Sequence, residues 1–218
     1  MNSFETSLFS FHPRKRIPTP NAGEIRSSGS LPAPSFYPAG TEIYAQGEVC
    51  NGLYTVEFGA VRIYRLLSDG RRQISAFHLA GETFGFEADS THHFFAEAIC
   101  TTGIRVLRSR YSRDDLGVEF LPMALQSLLH AQEHLLVLGR QSSVERVAAF
   151  LLEMSERQGG LQQVELPMSR LDIADYLGLT IETVSRVFSR LKRNGVIRLP
   201  SLRSVKIVRW QTLQNMAS

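Results

Sequence analysis

The chain has 218 residues, of which 43% are hydrophobic and 21% charged, and its formal net charge is +3. This length suits two modest domains, because single hydrophobic cores commonly close at about 100 to 150 residues. The composition excludes a membrane-spanning segment and a disulfide scaffold, and the basic residues near the start do not follow the order of a secretory signal, so we expect a cytoplasmic protein with no membrane partner.

The residue composition of the chain changes near residue 34. Residues 1–33 are rich in Pro, Ser and Gly without periodicity, which predicts a flexible arm. From there to about residue 115, short apolar runs lie between closely spaced glycines, a pattern typical of a small barrel or roll. These runs cover residues 53–58, 61–67, 74–79, 96–101 and 104–107. Ser68, Asp69 and Gly70 predict a hairpin turn between the second and third runs.

A helical period follows over residues 116–140. Apolar residues three and four apart form one stripe there, composed of Leu121, Ala124, Leu125, Leu128, Ala131, Leu135 and Leu138. Such a stripe packs against another apolar surface, which is either the same helix of a second copy or the chain's own roll. We favour the second copy, and therefore a homodimer, because the helix is long and joins the two halves of the chain.

Residues 141–218 contain a second helix and then a pair of short helices. The helix over 144–156 ends at Gln158-Gly159-Gly160. Ser169, with Asp172 three residues on, predicts the N-cap of the next helix, and Gly178 allows a left-handed turn at its end. Thr180 caps the helix after that. The expected buried positions of the pair are Ile173, Ala174, Leu177, Val184, Val187, Phe188 and Leu191. Two short helices with a glycine turn form a helix-turn-helix.

The charge of the C-terminal segment is one-sided. Residues 183–218 contain eight Lys or Arg and no Asp or Glu. A block of this kind favours a polyanion as partner, and double-stranded DNA is the natural candidate for a helix-turn-helix. The segment after the helix pair alternates over 196–199 and 204–208, which predicts a hairpin wing with its turn at 200–203.

The second helix of such a pair enters the major groove with its N-terminal residues against the bases. Glu182, Ser185 and Arg186 share its outward face. A Glu side chain can accept a hydrogen bond from cytosine, a Ser side chain can bond to either base of a pair, and an Arg side chain can donate two hydrogen bonds to guanine. We expect phosphate contacts at the helix starts and along the cationic edge, from Ser169, Arg170, Thr180, Thr183, Arg190, Lys192 and Arg193.

Two segments resemble the CRP/FNR family of transcription regulators. Residues 177–186, Leu-Gly-Leu-Thr-Ile-Glu-Thr-Val-Ser-Arg, are similar to the family's recognition motif, and residues 73–87 are similar to the FNR β-roll. The likeness extends from about residue 34 to the end. It implies an α+β fold with an N-terminal cyclic-nucleotide-binding-like β-roll (34–115), a long dimerisation helix (116–140) and a C-terminal winged helix-turn-helix (141–218). It also implies RNA polymerase as a partner and, since Glu182 with Ser185 and Arg186 matches the FNR pattern, a palindrome of TTGAT facing ATCAA.

Two departures from the family indicate the branch. Cyclic-AMP sensors carry an Arg-Ser pair where this chain has Phe95-Ala96. FNR proteins hold a 4Fe–4S cluster on N-terminal cysteines and one roll cysteine, whereas this N-terminus has none and Arg105 falls near the roll position. The resemblance therefore implies no cofactor and points to the FixK-like branch, whose members activate genes of microaerobic respiration and nitrogen fixation.

Several alternatives remain open from the sequence. A small-molecule effector in the β-roll would make the chain a ligand-responsive regulator. Cys50 and Cys100 are either small buried hydrophobes or redox-sensitive thiols, and we favour the former. His78, His92 and His93 lack a metal-ligand spacing, so we expect no metal site. No nucleophile elbow or P-loop is present, and we do not expect an enzyme.

Overall fold

The structure is a computed structural model that describes residues 33–107, 113–140 and 142–217. The arm predicted over 1–33 lies outside these ranges except for its last residue. The described chain is an α+β fold, as predicted: an antiparallel roll, a long helix and a helical C-terminal half with a small sheet.

Eight short strands form the roll. They are β1 (Ser35–Tyr37), β2 (Glu42–Tyr44), β3 (Leu53–Phe58), β4 (Ala60–Leu66), β5 (Arg72–Leu79), β6 (Thr83–Phe84), β7 (Phe95–Ala98) and β8 (Thr102–Leu107). They pair antiparallel in two four-stranded sheets, in the orders β1-β8-β3-β6 and β2-β7-β4-β5. Alternating residues such as Tyr54 and Val56 point into the core between the sheets, which is the pattern that predicted these strands. The predicted 68–70 turn joins β4 to β5, where Leu67 N donates to Arg71 O at 2.8 Å.

The long helix α1 (Arg113–Leu138) starts before the predicted stripe and continues through Pro122. Four leucines of the stripe, Leu121, Leu125, Leu128 and Leu135, are 50% to 67% exposed, so these side chains do not pack on the chain's own roll. His134 and Val137, on another side of the helix, are buried against the rest of the molecule instead. An uncovered row of leucines of this size is typical of a protein–protein interface.

Four helices and a three-stranded sheet complete the fold. They are α2 (Ser143–Arg157), β9 (Gln163–Glu165), α3 (Arg170–Leu177), α4 (Ile181–Arg193), β10 (Ile197–Ser201), β11 (Ser204–Ile207) and α5 (Trp210–Met216), with the strands in the order β10-β11-β9. The predicted wing turn at 200–203 begins two residues too early, because β10 continues to Ser201. Pro200, which has no N–H to donate, lies where the β10–β11 register is irregular.

One apolar core runs from the roll into the C-terminal half. Ile74 and Phe77 of β5 belong to the same buried cluster as the inward faces of α2, α3 and α4. Phe77 contacts Phe150 of α2 and Tyr176 of α3, with ring centroids 6.5 and 5.0 Å apart. The helix-turn-helix is therefore packed on the roll and is not merely tethered to it. Within the described ranges, no helix is both long and apolar enough to cross a membrane.

Candidate nucleic-acid interface

Local hydrogen bonds set the start of α3. The Ser169 hydroxyl accepts from Asp172 N at 3.1 Å, and the Asp172 carboxylate accepts from Ser169 N at 2.9 Å. This confirms the predicted capping box. At the other end, Gly178 has a φ of 62° and closes the helix in the left-handed conformation that favours glycine. The chain then turns at once into α4.

Helix α4 separates a buried face from an exposed one. Thr180 caps it by accepting from Thr183 N at 3.2 Å, and the predicted inward residues Val184, Val187, Phe188 and Leu191 are all buried. The three predicted base-reading residues, Glu182, Ser185 and Arg186, are exposed. These three side chains are therefore free to face a groove of DNA while the opposite face holds the helix in place.

The charge states of the outward residues suit this role. The pKa of Glu182 is lowered by its own backbone N–H, by the Thr180 hydroxyl and by Arg186, which outweigh its small desolvation, so the side chain is a carboxylate that accepts hydrogen bonds. Arg186 Nη2 donates to Thr183 Oγ1 at 3.2 Å, which holds the guanidinium over the first turn. A carboxylate and a guanidinium at this end can address the edges of neighbouring base pairs.

A shallow open hollow runs along the second half of α4. It is lined by Ser185, Arg186, Ser189, Arg190 and Arg193. Sequence reasoning had not singled out Ser189, although its spacing of four residues from Ser185 places it on the same face. Arg190, Lys192 and Arg193 are exposed, as a phosphate-contacting role requires.

A second hollow lies between the start of α2 and α4. Ser143 and Val144 meet Thr183, Arg186 and Arg190 there. These first residues of α2 were not predicted to be part of the interface, because nothing in the local sequence indicates that α2 begins beside α4. The hollow brings the first turn of α2 next to two of the exposed cations of α4.

Ser169 and Arg170, the two predicted phosphate contacts at the start of α3, differ in whether their hydrogen-bonding groups are already used within the protein. The Ser169 hydroxyl is engaged with the Asp172 carboxylate at 2.7 Å. The Arg170 guanidinium lies 3.5 Å from the centroid of the Phe188 ring, and burial followed by repulsion from Arg203 lowers its pKa to about 10. Among the described residues it has no hydrogen-bond acceptor, so its donors remain available for an anion.

All eight cations of the C-terminal segment are exposed. They are Arg186, Arg190, Lys192, Arg193, Arg198, Arg203, Lys206 and Arg209. They lie on α4, on both wing strands and on the residues next to them. No acidic residue occurs in residues 183–218 to neutralise them, and such an excess of positive charge favours a polyanion as partner.

The roll positions that separate the family's branches have structural partners of their own. Phe95 stacks on Tyr64 with centroids 5.2 Å apart, and Ala96 is fully buried. Arg105 Nε donates to Glu57 at 2.6 Å. Phe95 and Ala96 thus supply no cation for a cyclic phosphate, and Arg105 supplies no thiolate for an iron–sulfur cluster.

The histidines and cysteines of the roll form no metal cluster in the part of the chain that the structure describes. His92 is buried, stacks on Tyr44 with centroids 3.6 Å apart, and lies 3.1 Å from Glu87 through Nδ1. His93 shares the same carboxylate at 2.9 Å, whereas His78 lies beside Glu82. Cys50 and Cys100 are half-buried free thiols.

Comparison with known proteins matches two domain families along the chain. A family model of the cyclic nucleotide-binding domain matches residues 34–113, and a model of the Crp-like helix-turn-helix domain matches residues 145–216. The nitrogen fixation regulation protein FixK of Rhizobium meliloti (strain 1021) is 50% identical over 204 residues, which is 91% of this chain and 96% of that protein. FixK of Azorhizobium caulinodans is 42% identical over 87% of this chain and 81% of its own length. The solved structure of FixK2 from Bradyrhizobium japonicum is similar with a TM-score of 0.78 and 42% identity, and the match covers 85% of this chain and 96% of that one.

Proposed function

This chain belongs to the CRP/FNR family of DNA-binding transcription regulators, and from that premise we propose that it acts as a homodimer on a palindrome of TTGAT facing ATCAA. The observation that carries the proposal is the outward face of α4, where Glu182, Ser185 and Arg186 are exposed together on a helix whose other face is buried. A straight α-helix presented in this way fits the major groove of B-DNA.

We assign base reading to Glu182, Ser185 and Arg186. The remaining contacts position the protein on the phosphates and carry no sequence information. For these we propose Ser169, Arg170, Thr180, Thr183, Arg190, Lys192 and Arg193. Support comes from the exposed cations on α4 and from the available donors of Arg170.

The dimer is proposed to form through α1. Its contact residues are Leu121, Ala124, Leu125, Leu128, Ala131, Leu135 and Leu138, and the four exposed leucines among them are each at least 50% exposed in the single chain. Pairing of the two helices removes this apolar surface from water. Two copies of α4 then meet two half-sites of one palindrome, so the symmetry of the site mirrors that of the protein. On this proposal 34–115 is a sensor-like roll, 116–140 the dimerisation helix and 141–218 the DNA-binding domain.

The regulated genes are proposed by likeness to the FixK proteins, whose names refer to nitrogen fixation. We propose that this chain acts in the cytoplasm as an activator of microaerobic respiration or nitrogen-fixation genes and contacts RNA polymerase, with the 67–72 loop as a candidate surface. No added cofactor is required, because the roll lacks the cation that would hold a cyclic phosphate.

A binding titration tests the proposal. Fluorescence anisotropy with the purified full chain compares the palindrome, a single half-site and a scrambled duplex of equal length, without any ligand. We expect the palindrome to bind at least about a thousandfold more tightly than the scrambled duplex at physiological salt. Equal affinity for both duplexes contradicts sequence-specific recognition, and a palindrome preference that appears only with added cyclic nucleotide supports the ligand-responsive alternative.

A further inference from the structure

A partly buried ionic cluster, with Asp172 buried at its centre, joins the roll to the first helix of the helix-turn-helix. It consists of Arg62 on β4, Arg72 on β5, and Asp172 and Asp175 on α3, and we refer to these four residues as the latch. We propose that the latch positions the two DNA-reading helices of the dimer at a fixed separation, and thereby sets which half-site spacing the protein accepts. The inference rests on the proposed function.

Asp172 is the central residue of the latch. Its Oδ2 accepts from Ser169 N and from the Ser169 hydroxyl, at 2.9 and 2.7 Å, and so caps α3. Its Oδ1 accepts from Arg62 Nη1 at 3.0 Å and from Arg72 Nη2 at 2.7 Å. One carboxylate, only 4% exposed, therefore holds the start of α3 and two strands of the roll at the same time. Charge-assisted bonds of this kind are short and directional, so they specify an orientation.

Asp175 adds a second point of attachment about one helical turn further on. Arg72 donates to its Oδ2 through Nε at 3.0 Å and Nη2 at 2.8 Å. Gln73 Nε2, from the next residue of β5, donates to the Asp175 carbonyl oxygen at 2.8 Å. Two attachment points along one helix fix its rotation as well as its position, which a single contact does not do.

Helix α3 also contacts α1. His134 of α1 donates from Nε2 to the Tyr176 carbonyl oxygen at 2.8 Å, and its ring stacks on the Tyr176 ring with centroids 3.8 Å apart. Helix α3 is thus tied to the roll by the latch and to α1 by His134. In a dimer held together by the two copies of α1, these contacts therefore fix the orientation of each α3 relative to the helix pair.

From α3 the orientation reaches α4 through the shared core. Ile173 and Leu177 of α3 are buried in the same cluster as Val184 and Phe188 of α4. Close packing allows little relative movement of two helices joined by a short glycine turn. The direction in which Arg186 points therefore depends on the latch, although no bond joins the latch to Glu182, Ser185 or Arg186.

The consequence concerns affinity for two half-sites together. A rigid pair of reading helices binds a palindrome of one spacing well, because the orientation entropy has been removed before binding. If the latch is loosened, each helix-turn-helix still recognises its half-site, but the pair loses its preference for one spacing. Base specificity within a half-site is unaffected, since no bond joins the latch to Glu182, Ser185 or Arg186. Changes at Arg72 or Asp175 also leave half-site affinity unchanged, because they keep the bond between Asp172 and Ser169.

The test compares Arg72→Gln with Arg71→Gln. Arg71 is the neighbouring residue in sequence, and its guanidinium pairs with Asp69 inside the same hairpin, 77% exposed. Each full-length variant is titrated by anisotropy with the half-site, with the palindrome, and with palindromes whose spacer is shortened or lengthened by one or two base pairs. We expect Arg72→Gln to reduce the ratio between the best and the changed spacings by about fivefold or more, with half-site affinity unchanged, and Arg71→Gln to behave as wild type.

Two further variants keep the outcome decisive. Asp175→Asn removes the negative charge that pairs with Arg72 at the second attachment and leaves the α3 cap in place, so it replaces Arg72→Gln if that variant fails to fold by circular dichroism. Arg72→Lys keeps the charge without the fork of donors, and we expect it to restore the spacing preference in part. Unchanged spacing preference in Arg72→Gln and Asp175→Asn, or an equal loss for half-site and palindrome, overturns the proposal. A wild-type protein that does not prefer the palindrome contradicts the proposed function instead.

Discussion

Arg186 and Lys192 lie on the same helix but are expected to contribute to DNA binding in different ways. Arg186 stands on the first turns of α4, held over Thr183, where side chains reach base edges. On the proposed role, replacement by Ala removes a bidentate donor to guanine. We expect Arg186→Ala to cost about 1 to 3 kcal/mol on the preferred palindrome and to abolish the preference at one base-pair position per half-site. Anisotropy with every single-base substitution of the half-site measures both effects, and a weakening shared equally by all sequences contradicts base reading.

Lys192 is an exposed cation near the C-terminal end of α4, for which we propose a phosphate contact. Lys192→Ala should weaken palindrome and scrambled duplex by the same factor, because binding to a phosphate carries no sequence information. The slope of log affinity against log salt should become shallower by about 0.9 for each phosphate that is no longer neutralised. The two substitutions serve as controls for each other: Arg186→Ala changes the specificity profile, whereas Lys192→Ala changes the salt slope.

Single residues of the interface could be predicted wherever the signal was local. Ser169, Gly178 and Thr180 follow cap and turn rules, and those rules fix the phase of α4 and hence the outward direction of Glu182 and Arg186. The latch could not be predicted in this way. Arg62 and Asp172 are 110 residues apart in sequence, and no pattern in either segment indicates the partner.

At the scale of elements, α1 makes the clearest prediction. Leu128 lies in the middle of the exposed stripe and is 53% exposed in the single chain. Leu128→Glu places a charge on each side of the proposed helix pair, at an interface that pairs only if both charges are desolvated. We expect a monomer by sedimentation velocity, an unchanged helix content, and palindrome affinity close to that of a half-site. Gln126→Glu adds the same charge at an exposed position two residues away, which is on the other side of the helix, and should remain a dimer.

The turn between β3 and β4 makes a second prediction at this scale. Gly59 has a φ of +85°, and a Cβ there would come within 2.5 to 2.8 Å of Thr102 and the Thr101 carbonyl oxygen. Gly59→Ala therefore combines the strain of a left-handed backbone with a clash against Thr101 and Thr102 of the same chain. We expect it to lower the free energy of unfolding by more than about 2 kcal/mol in a urea titration.

A matched control for that turn is Gly47→Ala. Gly47 has a φ of +89° but no heavy atom within 4 Å of the added Cβ, so only the backbone strain remains. We expect the free energy of unfolding to fall by about 1 kcal/mol. If the two variants are destabilised equally, the close approach of Thr102 is not what makes Gly59 necessary.

The predicted elements agree with the structure where the sequence has a strong period. The strands around residues 53–79 and the helices α2, α3 and α4 were expected from alternation, from caps and from apolar spacing. Strands β1, β2 and β9 have only three residues each, too few to show a period, and α5 follows Arg209 without a side-chain cap. Their formation depends on partners elsewhere in the fold, as β9 does on β11.

On the scale of the whole molecule, the junction between the roll and the helix-turn-helix extends beyond the latch. Arg157 of α2 donates to both oxygens of Glu82 in the roll, at 3.0 and 2.7 Å, and to the Phe77 carbonyl oxygen. Arg157 is only 9% exposed and also pairs with Glu153. The buried guanidinium of Arg157 thus pairs with one carboxylate of the roll and one of the C-terminal half. Unfolding of either half would leave this charge without a partner, so we expect the two halves to unfold in one cooperative thermal transition.

The titration of Glu82 makes this coupling measurable. Burial by itself raises its pKa, but hydrogen bonds from His78 and Arg157 outweigh burial and hold the pKa at about 2, against 4.5 for a free side chain. Because the folded state releases this proton more readily than the unfolded state, the stabilisation is fully present above about pH 4.5 and is lost as the pH falls towards 2. At neutral pH the contribution is on the order of 3 kcal/mol.

Glu82→Gln removes the titrating carboxylate and should therefore change the shape of the stability curve as well as its height. We expect a lower free energy of unfolding at pH 7, measured by urea titration, and a smaller further decrease between pH 5 and pH 3 than in the wild type, because one proton fewer is taken up on unfolding. If the stability of Glu82→Gln and of the wild type declines in parallel over that range, the bond between Glu82 and Arg157 does not hold the two halves of the molecule together.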